Sequence, residues 1–166
     1  MKTRNIPALE AVALAAMLAI AGLSLMAAPI TPTPGAPQEV ILTGWMHVED
    51  NTLDDLILVV TVDEDRCLFA DVDGSGRFVI AVPVGCRALL SFIKPGDLTK
   101  EVEVDTHNSM MTSQAQRANK RVKFDVVIEP IGKRLGRTYE GPVGSLSFVR
   151  GTGTMKVKHD LRVVAE

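Results

Sequence analysis

Three oxygen-bearing side chains at alternate positions, Asp71, Asp73 and Ser75, have the spacing of the first ligands in a calcium-binding loop. In an EF-hand, side chains at positions 1, 3 and 5 bind the ion, and a glycine at position 6 allows the sharp turn. Gly76 meets that requirement, but Val82 stands at position 12, where the ion needs a bidentate glutamate. The pattern therefore favours a hairpin turn, keeps the three residues as candidate metal ligands, and predicts no cofactor.

The two cysteines, Cys67 and Cys86, permit a disulfide if the chain is exported, because oxidising compartments preserve such bonds. Both cysteines border a predicted strand at 77–82. If their own strands flank that strand within one sheet, the sulfur atoms lie too far apart to bond. The disulfide stays one possibility, and two buried, inert thiols are favoured over a catalytic thiol.

The histidines and serines show no catalytic arrangement. His47, His107 and His159 lack the mutual spacing of a metal-ligand set. Ser145 and Ser147 lack the G-x-S-x-G context of a hydrolase nucleophile. The sequence therefore predicts no catalytic residues.

Basic residues concentrate in the second half of the chain. Residues 39–105 hold 14 acidic and 5 basic residues, whereas residues 106–166 hold 5 acidic and 11 basic residues. The simpler interpretation is that the halves pack together and neutralise each other, and the alternative is a basic face for an acidic partner such as lipid headgroups or an anionic polymer. The net charge of −2 does not support binding to nucleic acid, so no nucleic-acid partner is predicted. The candidate partner-binding residues are Arg117, Lys120, Arg121, Lys123, Lys133, Arg134 and Arg137.

The N-terminus carries an export pattern, because Lys2 and Arg4 precede an uncharged apolar run at 11–28. This run is long for a cleaved signal and just long enough to span a bilayer, so residues 1–28 are a signal peptide or, as the sequence slightly favours, a signal-anchor helix. The proline-rich residues 29–38 predict an extended linker. The folded part is therefore expected outside the cytoplasm. It would be anchored in the inner membrane facing the periplasm or cell exterior, or periplasmic or secreted after cleavage.

The elements that would position these residues are short strands, because apolar and polar residues alternate between turns rich in glycine, proline and aspartate. This pattern predicts an all-β fold, a seven-stranded antiparallel β-sandwich over 39–130. The strand at 56–62 is apolar on both faces and is expected to be covered on both. The predicted strands are 40–48, 56–62, 66–70, 77–82, 86–93, 101–105 and 121–129.

Two further stretches complete the prediction. Residues 106–120 form a long polar loop with at most a turn of helix, and such a loop is where binding often occurs. Residues 131–166 predict a basic linker and an added C-terminal hairpin that turns at Gly151-Thr152-Gly153. Its first strand carries Leu146 and Phe148, and its second carries Met155, Val157, Leu161 and Val163.

Several turn motifs carry a family resemblance. Gly44 in the first strand, D-x-D-G-x-G-R-F at 71–78, V-P-x-G at 82–85 and K-P-G at 94–96 resemble the carboxypeptidase-regulatory-like domains of the transthyretin-like, or prealbumin-like, superfamily. V-x-V-D-T-x-N at 102–108 resembles small exported bacterial members. The resemblance covers 39–130 and implies a mostly non-catalytic adhesion, scaffold or accessory domain. The hydroxyisourate-hydrolase branch, which ends in Y-R-G-S, is disfavoured because this chain ends differently.

Together these observations lead us to expect a non-catalytic exported envelope module, tethered to the membrane by its N-terminal helix if that helix is uncleaved. It would contact another envelope protein or a glycan through an exposed sheet edge or the basic loops. One alternative is a prealbumin-type hydrolase, which a pocket gathering two or more histidines with arginine or aspartate would favour. Another is a small-ligand carrier formed at a dimer interface, which needs a hollow apolar groove. The oligomeric state stays open.

Overall fold

The structure is a computed structural model that describes residues 38–49, 52–63, 66–70 and 72–165, with backbone only at Leu68 and Phe69. The predicted N-terminal helix lies outside these ranges. Within them, no helix has the length and apolar character needed to cross a membrane.

The described chain is predominantly β-structure, which confirms the all-β prediction. Six strands between 39 and 105 match the predicted strands closely, and the predicted strand at 121–129 is divided in two. A 3₁₀ turn (Ile131–Arg134) follows the second of these pieces. The elements are β1 (Glu39–Val48), β2 (Ile57–Val62), β3 (Arg66–Ala70), β4 (Arg77–Pro83), β5 (Arg87–Ile93), β6 (Lys100–Asp105), α1 (Ser113–Asn119), β7 (Arg121–Lys123), β8 (Val126–Ile128), β9 (Arg137–Tyr139), β10 (Gly144–Phe148), β11 (Met155–His159) and β12 (Val163–Ala165).

Two sheets face each other across one apolar core. The narrow sheet has the order β4-β1-β7, with β8 also pairing with β1, and the wide sheet has the order β11-β10-β6-β5-β2-β3. Strands β9 and β12 form a separate pair. At the centre of the core, the rings of Phe78, Phe92 and Phe124 pack edge to face with centroid separations of 5.4–6.3 Å. Such aromatic contacts add to the stabilisation from burial itself.

The sheets are mixed, which corrects the prediction of a purely antiparallel arrangement. Strands β7 and β8 run parallel to β1, and β10 runs parallel to β6. Parallel neighbours cannot be joined by a tight hairpin turn, and here several other elements separate the two strands of each parallel pair along the chain. The sequence shows where strands occur, but the alternation of side chains carries no information on strand direction.

Gly44 explains why the last predicted strand is divided. A Cβ atom at this position would overlap the carbonyl oxygen of Phe124 and lie 2.9 Å from Cζ of Phe78. The backbone N–H of Phe124 donates to the carbonyl of Thr43 at 3.1 Å. The next bond to β1 uses the Asp125 side chain instead of backbone, with Trp45 N donating to Oδ1 at 3.0 Å. The ladder is therefore interrupted between β7 and β8.

The outer face of the wide sheet departs from the prediction for β2. Ile57 is 42% exposed, and Val59 and Thr61 are half-buried. No described segment packs over this face, so the expectation that β2 is covered on both faces is wrong for the part of the chain that the structure describes.

The acidic and basic halves of the chain interleave. Strand β1 from the acidic half pairs with β7 and β8 from the basic half, and β6 pairs with β10 in the same way. Pro37–Glu166 is one compact unit. The C-terminal hairpin is part of that unit, because β10 and β11 extend the wide sheet. Its second strand ends at His159, and Val163 belongs to β12.

Candidate functional site

The candidate site is a groove between the two sheets, on the side where the wide sheet extends beyond the narrow one. Strand β11 ends the wide sheet. Because Met155 and Val157 lie opposite the buried Phe148 and Leu146, they share the inner face of that sheet. They are nevertheless 44% and 50% exposed, because no described strand of the narrow sheet covers them.

The groove has a volume of about 270 Å³. Its walls come from β7 and β8 on one side and from β6, β10 and β11 on the other. A wider recess of about 950 Å³, bordered by α1, β7 and the turn before β11, continues from it and shares Val122, Lys123 and Met155. The apolar lining of the groove includes Val102, Val122, Val126, Leu146, Val157 and Leu161.

The outer backbone edge of strand β11 pairs with no described strand, and we call it the free edge. Val149 N donates to Thr154 O and Asp160 N donates to Val143 O, both at 2.9 Å, at the two ends of the β10–β11 hairpin. In an antiparallel ladder, hydrogen-bonded pairs alternate with non-bonded pairs. Counted from either of these end bonds, the backbone N–H and C=O groups of Lys156 and Lys158 point towards β10. The N–H and C=O groups of Met155, Val157 and His159 therefore point away from the sheet.

Four cations lie beside the groove and its recess. Lys156 and Lys158 occupy the outer face of β11, and Arg121 and Lys123 are exposed on β7. None of the four makes an ion pair with a described residue. We call them the unpaired group.

Two of the basic residues that the sequence marked as partner-binding are instead neutralised within the fold. The ammonium group of Lys133 pairs with Glu49. The guanidinium of Arg134 pairs with Glu129 at 2.9 Å and lies over the Tyr139 ring at 5.6 Å. These ion pairs do not test the predicted role of Lys133 and Arg134 in partner binding, which stays a prediction.

Glu129 organises a network of partly and fully buried polar groups. Its Oε1 accepts from Lys100 Nζ at 2.7 Å and from the Tyr139 hydroxyl at 3.0 Å. Lys100 is buried and lies 5.3 Å from the centre of the Tyr139 ring. Burial opposes ionisation of Glu129, but the hydrogen bonds and positive charges of Lys100, Tyr139 and Arg134 outweigh it and hold the pKa of Glu129 below its usual value. The network ties β9 to the wide sheet.

The other predicted basic residues lie apart from the groove. Arg117, Lys120 and Arg137 are exposed and do not line the groove or the recess. Arg117 uses its Nε to donate to Ser113 O at 3.2 Å within its own helix. Of the seven candidates, Arg121 and Lys123 are the pair that the fold brings to the recess.

The long polar loop is folded rather than open. Thr112 caps α1 by accepting from Ala115 N at 3.0 Å. The buried Asn119 amide donates to Ser109 O and to Gly153 O, both at 2.7 Å, and so joins the loop to the β10–β11 turn. Gly153 has φ +69°, and a Cβ atom there would press on Ala115. This loop shapes one wall of the recess.

The candidate metal loop is a hairpin turn in its described part. Asp73 Oδ1 accepts from Ser75 N, Ser75 Oγ and Arg77 N at 2.6–3.1 Å. The bonds from Ser75 contribute most to holding the pKa of Asp73 below its usual value. Asp71 lies outside the described residues, which contain no group of three or more side chains suited to hold a metal ion.

The two cysteines are separate thiols in the structure, so the possible Cys67–Cys86 disulfide is not formed. Cys67 lies on β3 and Cys86 directly precedes β5. These two strands flank β2 in the wide sheet, whereas the predicted intervening strand, β4, lies in the narrow sheet. Cys67 is exposed, and its Sγ lies 3.7 Å from Thr61 Oγ1. Cys86 is buried and donates to Pro83 O at 3.0 Å, and burial raises the pKa of its thiol.

The three histidines occupy separate elements. His47 lies on β1 with its Nε2 3.5 Å from Asp125 Oδ2. His107 follows β6, and its Nδ1 lies 2.8 Å from Asp105 Oδ1. His159 ends β11 and lines the groove. Each of the first two has an aspartate partner, and no two of the three share a described contact.

Sequence reasoning missed the residues that define the groove. The sequence placed Met155 and Val157 on the second strand of the hairpin, which is correct, but it gave no indication of whether another strand covers them. The signal for an open edge was present in the alternation of lysine with apolar residues in β11, because lysines on a strand are typical of sheet edges.

Comparison with protein-family models and with curated proteins gives no match for the chain. The transthyretin-like resemblance therefore stays a prediction from turn motifs. The features that bear on function are the groove, the free edge of β11 and the charges beside them.

Proposed function

We propose that the chain is a non-catalytic exported module that binds an extended segment of a protein partner along β11. The observation that carries the proposal is the combination of a free backbone edge with an open apolar groove beside it. Main-chain hydrogen bonds to such an edge supply affinity, and pockets for alternate side chains supply specificity.

The free edge of β11, rather than the size of the groove, favours a partner strand over a small ligand. Ligand pockets usually measure about 300–1,000 Å³. The groove alone, at about 270 Å³, falls just below that range, and the recess that continues from it, at about 950 Å³, falls within it. Its hollow apolar lining supports the small-ligand carrier as a second candidate, but the carrier leaves the free edge of β11 without a role.

The hydrolase alternative gains no supporting observation. It required two or more histidines gathered with arginine or aspartate. His47 and His107 instead contact one aspartate each, on different elements, and His159 lies at the end of β11.

The location and the family of the module are part of the proposal. Export is supported by Lys2, Arg4 and the apolar run at 11–28, and a retained run would tether the module to the inner membrane with β11 outside the cytoplasm. A transthyretin-like sandwich is supported by the glycine turn before β4 and by two facing sheets, although here some strands are parallel. An envelope glycan is the less favoured partner, because the lining of the groove is mainly apolar.

Photo-crosslinking in the cells that naturally produce the protein tests this function. A crosslinking residue at Met155 should form one discrete protein adduct, whereas the same residue at Val79, exposed on the outer face of β4, should not. Val157→Pro removes an outward N–H and should abolish the Met155 adduct while the protein stays folded. An adduct that survives Val157→Pro, or equal adducts at both positions, would contradict binding along β11.

A further inference from the structure

We propose that the bound segment alternates acidic and apolar residues, an inference that rests on the proposed function and names the chemistry of its partner. The acidic side chains would lie beside Lys156 and Lys158 on the outer face. The apolar side chains would enter the groove beside Val157.

The pleat of β11 dictates this alternation. Directly opposed residues of neighbouring strands point to the same face of a sheet. A residue placed opposite Val157 therefore points into the groove, and residues opposite Lys156 and Lys158 point outward. Because successive side chains alternate between faces, the bound segment must alternate in the same way.

The charge of the outer face selects acidic residues. Lys156 lies opposite Ser147 of the neighbouring strand β10, and Lys158 lies opposite Ser145. Strand β10 therefore offers neither lysine a carboxylate. Glu103 is in register on β6, but it is two strands away, about 10 Å from β11. Neither lysine pairs with a described residue, and an acidic neighbour on the free edge would give each an opposite charge.

Two other occupants fit this chemistry poorly. A second copy of β11 that pairs antiparallel about Val157 would set Lys156 against Lys158, and like charges directly opposed destabilise a sheet. Residues 1–37 of the same chain contain a single acidic residue, Glu10, and cannot supply the alternation. Charge therefore favours an acidic segment of a different protein.

Fluorescence anisotropy with the full-length protein in detergent tests the inference. The probes are three short labelled peptides that share valine and leucine at alternate positions and carry glutamate, serine or lysine at the positions between. The glutamate peptide should bind more tightly than the serine peptide, and the lysine peptide should bind least. The affinity of the glutamate peptide should fall as salt rises, because exposed charges are screened within about 3 Å at 1 M salt.

Matched variants connect the effect to β11. Lys156→Ser with Lys158→Ser should weaken binding of the glutamate peptide about 2- to 30-fold, the range for two cross-strand charge pairs. The same double variant should leave the serine peptide unchanged. Arg66→Ser with Arg137→Ser removes two exposed charges from other strands, β3 and β9, and should leave both peptides unchanged.

The outcomes separate the two proposals. If the serine or lysine peptide binds as well as the glutamate peptide, and Val157→Pro abolishes that binding, the acidic chemistry is wrong and the β11 site stands. If the control pair weakens binding as much as the lysine pair, the attraction is one of net charge and the inference is overturned. If no peptide binds, both the inference and the proposed β11 site are contradicted.

Discussion

Two sets of basic residues, both drawn mainly from the second half of the chain, differ in whether they form ion pairs within the fold. Lys133 and Arg134 are joined by Lys100 in contacts with Glu49 and Glu129. We call these three the paired group. The unpaired group lies on β7 and β11 and makes no ion pair with a described residue. Neighbouring lysines and arginines in a sequence can therefore serve quite different purposes.

The difference lies in what surrounds each charge. Lys100 is 6% exposed, so its ammonium group needs the Glu129 carboxylate to offset the cost of leaving water. Lys156 and Lys158 are exposed and remain hydrated, so their presence costs the fold little. A positive charge that the fold does not use is free to attract a partner.

The largest expected effect follows from removing the Glu129 carboxylate, which pairs with Lys100 and Arg134. Glu129→Gln leaves Lys100 buried without a counter-charge, and breaking a buried pair in this way costs about 3–5 kcal/mol. Urea denaturation measures the loss. Glu140→Gln, which removes an exposed partner of Arg162, is the control and should cost at most about 1 kcal/mol. Equal losses would contradict a special role for the Glu129 network.

The same carboxylate should give stability a pH dependence. The pKa of Glu129 is lower in the folded state, so its contribution is complete above the unfolded glutamate pKa of about 4.3 and is lost as the pH falls through the lowered folded value. The stability difference between wild type and Glu129→Gln should therefore shrink with acidification below about pH 4.3. Denaturation of both proteins at stepped pH measures it, and a constant difference would contradict the lowered pKa.

Proline substitutions in β11 should separate its bonded positions from its free ones. Lys158→Pro removes an N–H that bonds to β10 and should cost about 1–3 kcal/mol. Val157→Pro removes an N–H that points away from the sheet and should cost clearly less. Thermal denaturation of the two variants compares them directly. The reverse order would show that Val157, rather than Lys158, is bonded to β10.

The smallest effect is expected from the unpaired group itself. Lys156→Ser with Lys158→Ser changes exposed side chains without ion-pair partners among the described residues, so stability should stay within about 0.5 kcal/mol of wild type. Urea denaturation is again the measurement. A loss comparable to that of Glu129→Gln would erase the distinction between the two groups.

The sequence predicted the local features well because they depend on neighbouring residues. Apolar patterns between turn residues located β1 to β6, and the glycines at 151 and 153 located the hairpin turn. The short helix of the polar loop was also within reach, because Thr112 is a typical capping residue before Ser113.

The features that define the site depend on residues far apart in the chain. Lys133 pairs with Glu49, 84 residues earlier, so its neutralisation is invisible in a linear pattern. The parallel pairing of β7 and β8 with β1 likewise depends on the route of the connection between sheets. The openness of the groove follows from the different widths of the two sheets, which no single segment encodes.

The position of β1 also determines the order in which the protein can assemble. Met46 in β1 pairs with Val126 in β8, 80 residues later, and β1 is the strand that joins both sides of the narrow sheet. During synthesis β1 emerges before β7 and β8 and has to wait for these neighbours. Folds dominated by such distant pairings form slowly, in milliseconds to seconds. Until β7 and β8 arrive, the growing chain exposes one whole side of β1, which makes this interval the period in which a chaperone is most useful.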